Sequence, residues 1–361
     1  RLVSRTTTPI ALVDSSCIVA APLVKKSYTR AFEYRDATRD LYEERVGRPY
    51  QEQAVDCEMF DGSIPFESLD LQDVNLASLI GQCRIDHSIA PVADTPGGSR
   101  AGYARWNAFR DHGLDHYAKR RNDASIHDGV SRMCAYLHFG MVSPLRLARE
   151  SKERNAEKFL DELLIWRELS FHFCIHNLEI IDSLDALPTW ATDTLESHAE
   201  DQREAEYCWE QLARAKSGQR LWDASQRGLL KHGEMHNNVR MTWGKAFLPW
   251  VSNPGRAMQL TMDLNHRYAL DGRDPSSYGG VLWCFGQFDR PFTPECAVFG
   301  TVRSRSCEDH GRRINIEKYE QVVDRPIAEN LPSVAVIGAG MGGLAAARTL
   351  SDHGLDVTLF D

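Results

Sequence analysis

Residues 231–250 read KHGEMHNNVRMTWGKAFLPW, and residues 264–292 read LNHRYALDGRDPSSYGGVLWCFGQFDRPF. Together they combine three tryptophans with arginine and asparagine side chains and a Gly-Gly pair. Buried amide and guanidinium groups are costly unless a polar partner receives them. The mixture is therefore unusual for plain core helices, and it predicts a large, planar and partly polar ligand.

The overall composition is that of a globular protein. The chain has 361 residues, of which 42% are hydrophobic and 26% charged, so it is long enough for two or three domains. Its formal net charge of −9 argues against a protein that coats nucleic acid along its whole surface, but a local basic face remains compatible with it. No run approaches the roughly 18 apolar residues of a membrane span.

The cysteine spacing indicates the cellular compartment, and the first residues indicate that the chain is a fragment. Nine cysteines are scattered without a CxxC pair, which favours reduced thiols and a cytoplasmic setting. The chain begins RLVSRTTTP, with neither an initiator methionine nor an apolar leader, so we expect its true start to lie upstream.

Helix signals dominate from residue 105 onward, so we expect a mainly α fold. The segment 158–176 is the strongest predicted helix, and 195–218 predicts an acidic amphipathic helix with a solvated charged face. Residues 1–22 contain a lone predicted strand, IALVDSSCIVA, and are interpreted as the remnant of an α/β domain. Residues 321–332 read as a polar linker.

The last 29 residues have a different character. SVAVIGAGMGGLAAARTLSDHGLDVTLFD (333–361) predicts a strand, a glycine-rich turn, a helix and a second strand. Gly338, Gly340 and Gly343 would admit a pyrophosphate to the start of the helix, and Asp361 would bind the ribose. The segment looks like the opening of an FAD-dependent amine-oxidase-like or NAD(P)-binding domain. Because only one βαβ unit is present and 29 residues cannot complete the sheet of such a domain, we expect no independent activity from this segment.

Two groups of residues could carry chemistry. Glu162 and Trp166 share a helix face, although on that helix alone a carboxyl at an interface edge beside a core indole is the more common explanation. Trp243 and Trp250 lie close to Arg240, which needs an acidic partner if buried, and Asp271 is the natural candidate. His232 and His236 do not form an HExxH motif, so we expect no metal site.

Four stretches of this sequence resemble the class II cyclobutane pyrimidine dimer (CPD) photolyases. They are YLHFGMVSP (136–144), DELLIWREL (161–169), HNNVRMTWGKA (236–246) and residues 264–292 quoted above. The resemblance covers about residues 10–320. It implies that 23–320 is an all-helical domain holding reduced FAD in a folded conformation, at the bottom of a cavity that receives a dimer flipped out of double-stranded DNA. We expect a monomer.

The resemblance also assigns residues. It gives catalytic or dimer-facing roles to Glu162, Trp166, Met241, Asn265 and Trp283. It gives cofactor-binding roles to Tyr117, Ser131, Met133, Cys134, Arg167, Asn237, Arg240, Asn265 and Asp271. It gives electron transfer from the surface to Trp243, Trp222, Trp250 and Tyr207.

Two departures and two alternatives accompany this resemblance. The family commonly has Ser-Pro where this chain has Cys134-Ala135, and a thiol is a weaker donor toward a phosphate. The α/β domain that would help seat an antenna pigment is almost wholly absent, so the antenna chromophore stays unassigned. The alternatives are a light-sensing flavoprotein without repair, and an FAD- or NAD(P)-dependent oxidoreductase with a helical accessory domain.

Overall fold

The computed structural model describes residues 10, 13–48, 58, 61–63, 65–67, 70, 72–327, 332–352 and 355–361. The helices are α1 (Ala31–Gly47), α2 (Leu76–Gly81), α3 (Ser99–His112), α4 (Tyr117–Arg120), α5 (Cys134–His138), α6 (Pro144–Glu153), α7 (Glu157–Leu160), a π-helix (Asp161–Arg167), α8 (Glu168–His176), α9 (Thr189–Ser197), α10 (Trp209–Ala213), α11 (Arg220–His232), α12 (Asn237–Lys245), α13 (Pro254–Tyr268), α14 (Pro275–Cys284), α15 (Cys307–Gly311), α16 (Ile316–Val323) and α17 (Met341–Asp352). The strands are β1 (Ser333–Ile337) and β2 (Asp356–Phe360).

Helices dominate this architecture, so the mainly α prediction is confirmed. Residues 1–47 and 92–361 form one compact unit, and residues 48–91 form a second, which contains α2. Within the described ranges, no helix combines the length and the apolar character that crossing a bilayer demands.

The helix predicted for residues 158–176 forms as α7, the π-helix and α8 in direct succession. It has no glycine or proline, and seven of the nine residues of α8 are buried. The π-helical turn in its middle was not predicted. Such turns occur frequently at functional sites because one extra residue turns the side chains after it away from the α-helical register.

The strand predicted within residues 10–20 is wrong for its described part, residues 13–20. The Asp14 carboxylate accepts three backbone N–H groups between positions 16 and 21, at 3.0–3.1 Å, and so bends the segment. The N–H groups of positions 18 and 19 donate to the Glu168 carboxylate at 2.6 and 3.0 Å. The backbone is thus paired with a helix side chain instead of a strand. Part of the 1–22 interpretation falls on 1–9, 11 and 12, outside the described residues.

Helix α1 is absent from the sequence-based prediction. Its buried residues, Tyr34, Thr38, Tyr42 and Val46, recur at every fourth position. The stripe is only one residue wide and is surrounded by charged residues. This narrow signal is easily read as polar irregular structure, although the i, i+4 spacing is helical.

The acidic helix predicted for residues 195–218 is wrong. Helix α9 ends at Ser197, and only the short α10 follows before residue 218. Asp201 accepts the backbone N–H of Val298 at 2.8 Å, and the Arg203 guanidinium donates to five backbone carbonyls. These partners fix residues 198–206 in an irregular path, so tertiary contacts override the local helical pattern.

Helices α11 to α14 pack against one another in the large unit. Asn253 and Asp274 cap α13 and α14, and a proline follows each cap at the first helical position. A Cβ on Gly279 would lie 2.2 Å from Ser170 Oγ, so α14 approaches α8 at a separation that only glycine permits. One member of the Gly-Gly pair is thereby explained by packing.

The C-terminal segment forms the predicted βαβ unit. Strands β1 and β2 are parallel, with Ser333 opposite Asp356, and α17 connects them. Gly338 has φ +102°, and a Cβ on Gly343 would lie 1.6 Å from the Gly338 carbonyl oxygen. These two glycines therefore have the conformational roles that the motif requires.

Candidate functional site

Glu162 lies between two cations. Its carboxylate is 2.7 Å from an Arg121 guanidinium nitrogen and 2.8 Å from Lys158 Nζ, and it is partly buried. Trp166, one turn later, is also partly buried. The Trp166 carbonyl accepts the Ser170 hydroxyl at 3.0 Å. The Arg121–Glu162 pair was not predicted, because no local pattern connects Arg121 to a carboxylate forty-one positions away.

Arg240 and Asp271 form the predicted ion pair. Two guanidinium nitrogens lie 3.1 Å from the two carboxylate oxygens, in the bidentate geometry that arginine favours. The Arg240 Nε is buried and has no hydrogen-bond partner among the described residues. The pair thus orients the guanidinium and leaves one donor available.

Two further buried polar atoms lack a hydrogen-bond partner within the described part of the chain. Asn265 is 1% exposed; its Nδ2 donates to Ser277 Oγ at 2.6 Å, while its Oδ1 is unpaired. Arg167 donates from one nitrogen to the Ser16 carbonyl at 2.7 Å, while its other terminal nitrogen is unpaired. An unpaired buried polar group costs about 1–3 kcal/mol, so these atoms fit a ligand with hydrogen-bonding edges.

Four more of the residues predicted to bind the cofactor differ in their burial. Tyr117 is buried, with its ring centroid 5.3 Å from that of Phe159, and Met133 is 1% exposed. Ser131 is half-buried, and Cys134 is exposed at the first position of α5.

Asn237 is exposed at the start of α12, three positions before Arg240. Its neighbour Asn238 makes the contacts instead. Asn238 donates to the Asn122 carbonyl at 2.5 Å and accepts from Arg305 at 2.6 Å.

Met241 and Trp283 lie on facing helices, α12 and α14. The Met241 methyl is 3.7 Å from the position that a Cβ on Gly280 would take. Lys245 Nζ lies 4.9 Å from the Trp283 ring centroid, and the Arg303 guanidinium lies 5.9 Å from it. The Trp283 indole is therefore fixed by two cation–π contacts.

The four aromatic residues predicted for electron transfer lie next to one another as a continuous series of rings. The rings of Trp243 and Trp222 are stacked, with centroids 6.0 Å apart and planes at 11°. Trp250 meets Trp222 edge-on at 5.4 Å, and Tyr207 meets Trp250 at 5.1 Å. Trp222 and Trp243 are buried, whereas Tyr207 is only partly buried, so the series leads from the core toward the surface.

The basic side chains Arg227, Lys231, Arg240 and Lys245 each have a partner within the described part of the chain. Arg227 and Lys231 both lie 3.3 Å from Asp324, and Arg240 is paired with Asp271. Lys245 is 1% exposed and donates to the Cys284 carbonyl at 3.0 Å.

Lys245→Met is expected to remove a pH dependence of stability. Burial lowers the pKa of Lys245 from 10.5 to about 8. Between these values the unfolded chain binds a proton that the folded chain has lost, so stability rises with pH across this window. The free energy of unfolding should rise by about 3 kcal/mol more in the native chain than in the variant, measured by urea unfolding on both sides of the window.

The surrounding groups stay in place in that comparison. They are Cys284, Asp289, Arg303 and Arg305. The exposed Lys152→Met is the matched control and should leave the pH dependence unchanged. Parallel pH profiles for the native chain and Lys245→Met would contradict the prediction.

Known proteins resemble two parts of this chain. Residues 336–361 match the family described as NAD(P)-binding Rossmann-like domain. The deoxyribodipyrimidine photo-lyase of Methanothermobacter thermautotrophicus is 39% identical over 230 residues, which cover 63% of this chain and 50% of that protein. The deoxyribodipyrimidine photo-lyase of Oryza sativa subsp. japonica is 32% identical over 292 residues, which cover 78% of this chain and 58% of that protein.

A solved structure is similar in fold. Synechocystis sp. PCC6803 cryptochrome superposes with a TM-score of 0.50 at 17% identity, over 86% of this chain and 59% of that one. The chain spans about half the length of the curated relatives it matches.

Proposed function

The chain belongs to the photolyase family, and we propose that its helical part binds reduced FAD and uses light to repair cyclobutane pyrimidine dimers in DNA, as a class II CPD photolyase. The observation that carries the proposal is the set of buried unpaired atoms on α12 and α13, Arg240 Nε and Asn265 Oδ1. Both helices pack against α14, which carries Trp283, and α12 also carries Met241. A planar ligand with polar edges would satisfy both atoms.

The residues fit a flavin. Arg167 and Arg240 would donate to its oxygen and nitrogen acceptors, and Asn265 Oδ1 would accept from a ring N–H. Asp271 would keep the Arg240 guanidinium in orientation before the cofactor arrives. When bound in reduced form, the flavin supplies the electron that light makes available to the dimer.

The opposite wall would receive the dimer. Trp166, Met241 and Trp283 would pack on the fused pyrimidines, and Glu162 would face their carbonyls. The two cations beside Glu162, Arg121 and Lys158, place positive charge at the same wall. Fixed positive charge stabilises an electron-rich dimer without reorganisation at the moment of transfer.

The proposed partner is double-stranded DNA from which the dimer is flipped out. Flipping costs a few kcal/mol and least for a damaged base, which favours the lesion over intact sequence. Since the chain has a net charge of −9, contacts to phosphates must be local.

Glu162→Ala and Trp283→Ala are expected to lower repair of a dimer-containing oligonucleotide under blue light while FAD stays bound. Glu162→Ala removes the carboxylate that holds Arg121 and Lys158 in place at this wall. Loss of one hydrogen bond between charged groups costs about 1.5–3 kcal/mol, which corresponds to roughly 10- to 100-fold in rate. The measurement is dimer loss in light and in darkness, with flavin content determined in the same samples. Loss of flavin together with repair would show that these side chains lie in the cofactor site instead.

The Trp243–Trp222–Trp250 series favours a second candidate, a light-sensing flavoprotein. That function needs photoreduction but no dimer pocket. Photoreduction without any dimer loss, in the same assay, would favour it.

A further inference from the structure

The π-helix interrupts the helix that carries Glu162, Trp166 and Arg167. At its end the Glu168 N–H donates to the Ile165 carbonyl, whereas in an α-helix it would donate to Leu164. The Leu164 carbonyl instead accepts the hydroxyl of Tyr42 on α1. A side chain from another helix thus takes the acceptor that the α-helical register would use.

Tyr42 is held in place from two sides. Its hydroxyl lies 3.0 Å from Glu168 Oε2 and 3.0 Å from the Tyr34 hydroxyl. Tyr34 in turn lies 2.7 Å from His172 Nδ1. All four side chains are buried, with exposed fractions from 0% to 5%. The position of the Tyr42 oxygen is therefore fixed by α1 and α8 together.

Residues 16–19 also contact the end of the π-helix and the start of α8. Arg167 donates to the Ser16 carbonyl at 2.7 Å, and its guanidinium lies 4.3 Å from the Phe171 ring centroid. Glu168 accepts the N–H groups of positions 18 and 19. The Glu168 carboxylate therefore links residues 18 and 19 to Tyr42, so one buried network joins α1, α8 and this segment at the end of the π-helix.

We propose that Tyr42 is a positioning residue for the site, because its hydroxyl on the Leu164 carbonyl stabilises the π-helical register that directs Trp166 and Arg167 inward. Without that hydroxyl, the Leu164 carbonyl would regain the Glu168 N–H, and the α-helical register would compete. Residues 161–167 would then rotate relative to α8. The flavin consequence rests on the proposed function, whereas the register consequence does not.

The test compares Tyr42→Phe with Tyr34→Phe. Both variants delete one buried hydroxyl from the same helix, but only Tyr42 contacts the π-helix carbonyl. In the flavin-free chain, we expect amide hydrogen exchange in peptides covering 158–170 to be about tenfold faster in Tyr42→Phe and unchanged in Tyr34→Phe. We expect FAD affinity to fall about tenfold in Tyr42→Phe alone.

Equal amide exchange rates in the two variants, or equal FAD affinities, would overturn the inference. The loss of any buried hydroxyl from α1 would then account for the changes, without a specific role for Tyr42. If wild-type chain binds no FAD, the proposed function fails while the exchange comparison still decides the register. If Tyr42→Phe does not fold, a crystal structure of the native chain decides. A π-helix at 161–167 with the Tyr42 hydroxyl on the Leu164 carbonyl supports the inference. An α-helical turn there, or a Tyr42 hydroxyl that does not contact Leu164, overturns the inference.

Discussion

Trp243→Phe is expected to abolish photoreduction of bound flavin and to leave intact the repair by protein that has been reduced chemically. Trp243 is the stacked partner of Trp222, and Trp222 is the one that meets Trp250. Trp243 Nε1 donates to Gln226 Oε1 at 3.0 Å, and this acceptor is neutral and buried. Phenylalanine keeps the apolar packing but is much harder to oxidise than an indole, so it breaks the series at one of its two most buried members.

Flavin absorbance under blue light with an external reductant measures the first part, and dimer repair after dithionite reduction measures the second. Trp209→Phe is the matched control, because Trp209 is a partly buried tryptophan whose Nε1 donates to Asp263, outside the four-residue series. Photoreduction at the native rate in Trp243→Phe would contradict the assigned route.

Arg240→Met is expected to destabilise the fold and to prevent FAD binding. Removing one partner of a buried ion pair leaves the other charge buried and unpaired, which costs about 3–5 kcal/mol of stability. Here the unpaired group would be Asp271, whose side chain is 12% exposed. The variant also removes the Nε donor proposed to meet the cofactor.

The double variant Arg240→Met with Asp271→Leu separates these two effects. It leaves no buried charge, so most of the lost stability should return, because apolar replacement of a buried pair is often neutral or stabilising. FAD binding should not return, since the donor is still missing. Urea unfolding and flavin titration on both variants measure this, and recovery of FAD binding in the double variant would contradict a direct role for Arg240.

Contacts that a sequence motif or a buried charge requires were predictable from the sequence. The Arg240–Asp271 pair follows from a buried arginine that needs a carboxylate, and the aromatic series was predicted from the family resemblance. The βαβ unit was predictable for the same reason, since its glycines act on backbone within five positions.

Contacts that depend on the tertiary fold were not predictable. Residues 13–20 were predicted as a strand because nothing local shows that Glu168 would receive their N–H groups. The helix predicted for 195–218 does not form, because the Asp201 carboxylate accepts the backbone N–H of Val298, ninety-seven positions away. The π-helix depends on Tyr42, 122 positions before its acceptor, and no periodicity within residues 158–176 encodes it.

In the proposed site, Arg167, Arg240 and Asn265 would direct their unpaired buried atoms at one flavin. The most direct measurement is the absorption spectrum of the purified chain after incubation with FAD and removal of free cofactor, before and after blue light with a reductant. We expect flavin absorption bands that correspond to about one FAD per chain and that bleach under blue light. A chain that retains no flavin, or a flavin that is retained equally by Arg240→Met, would contradict it.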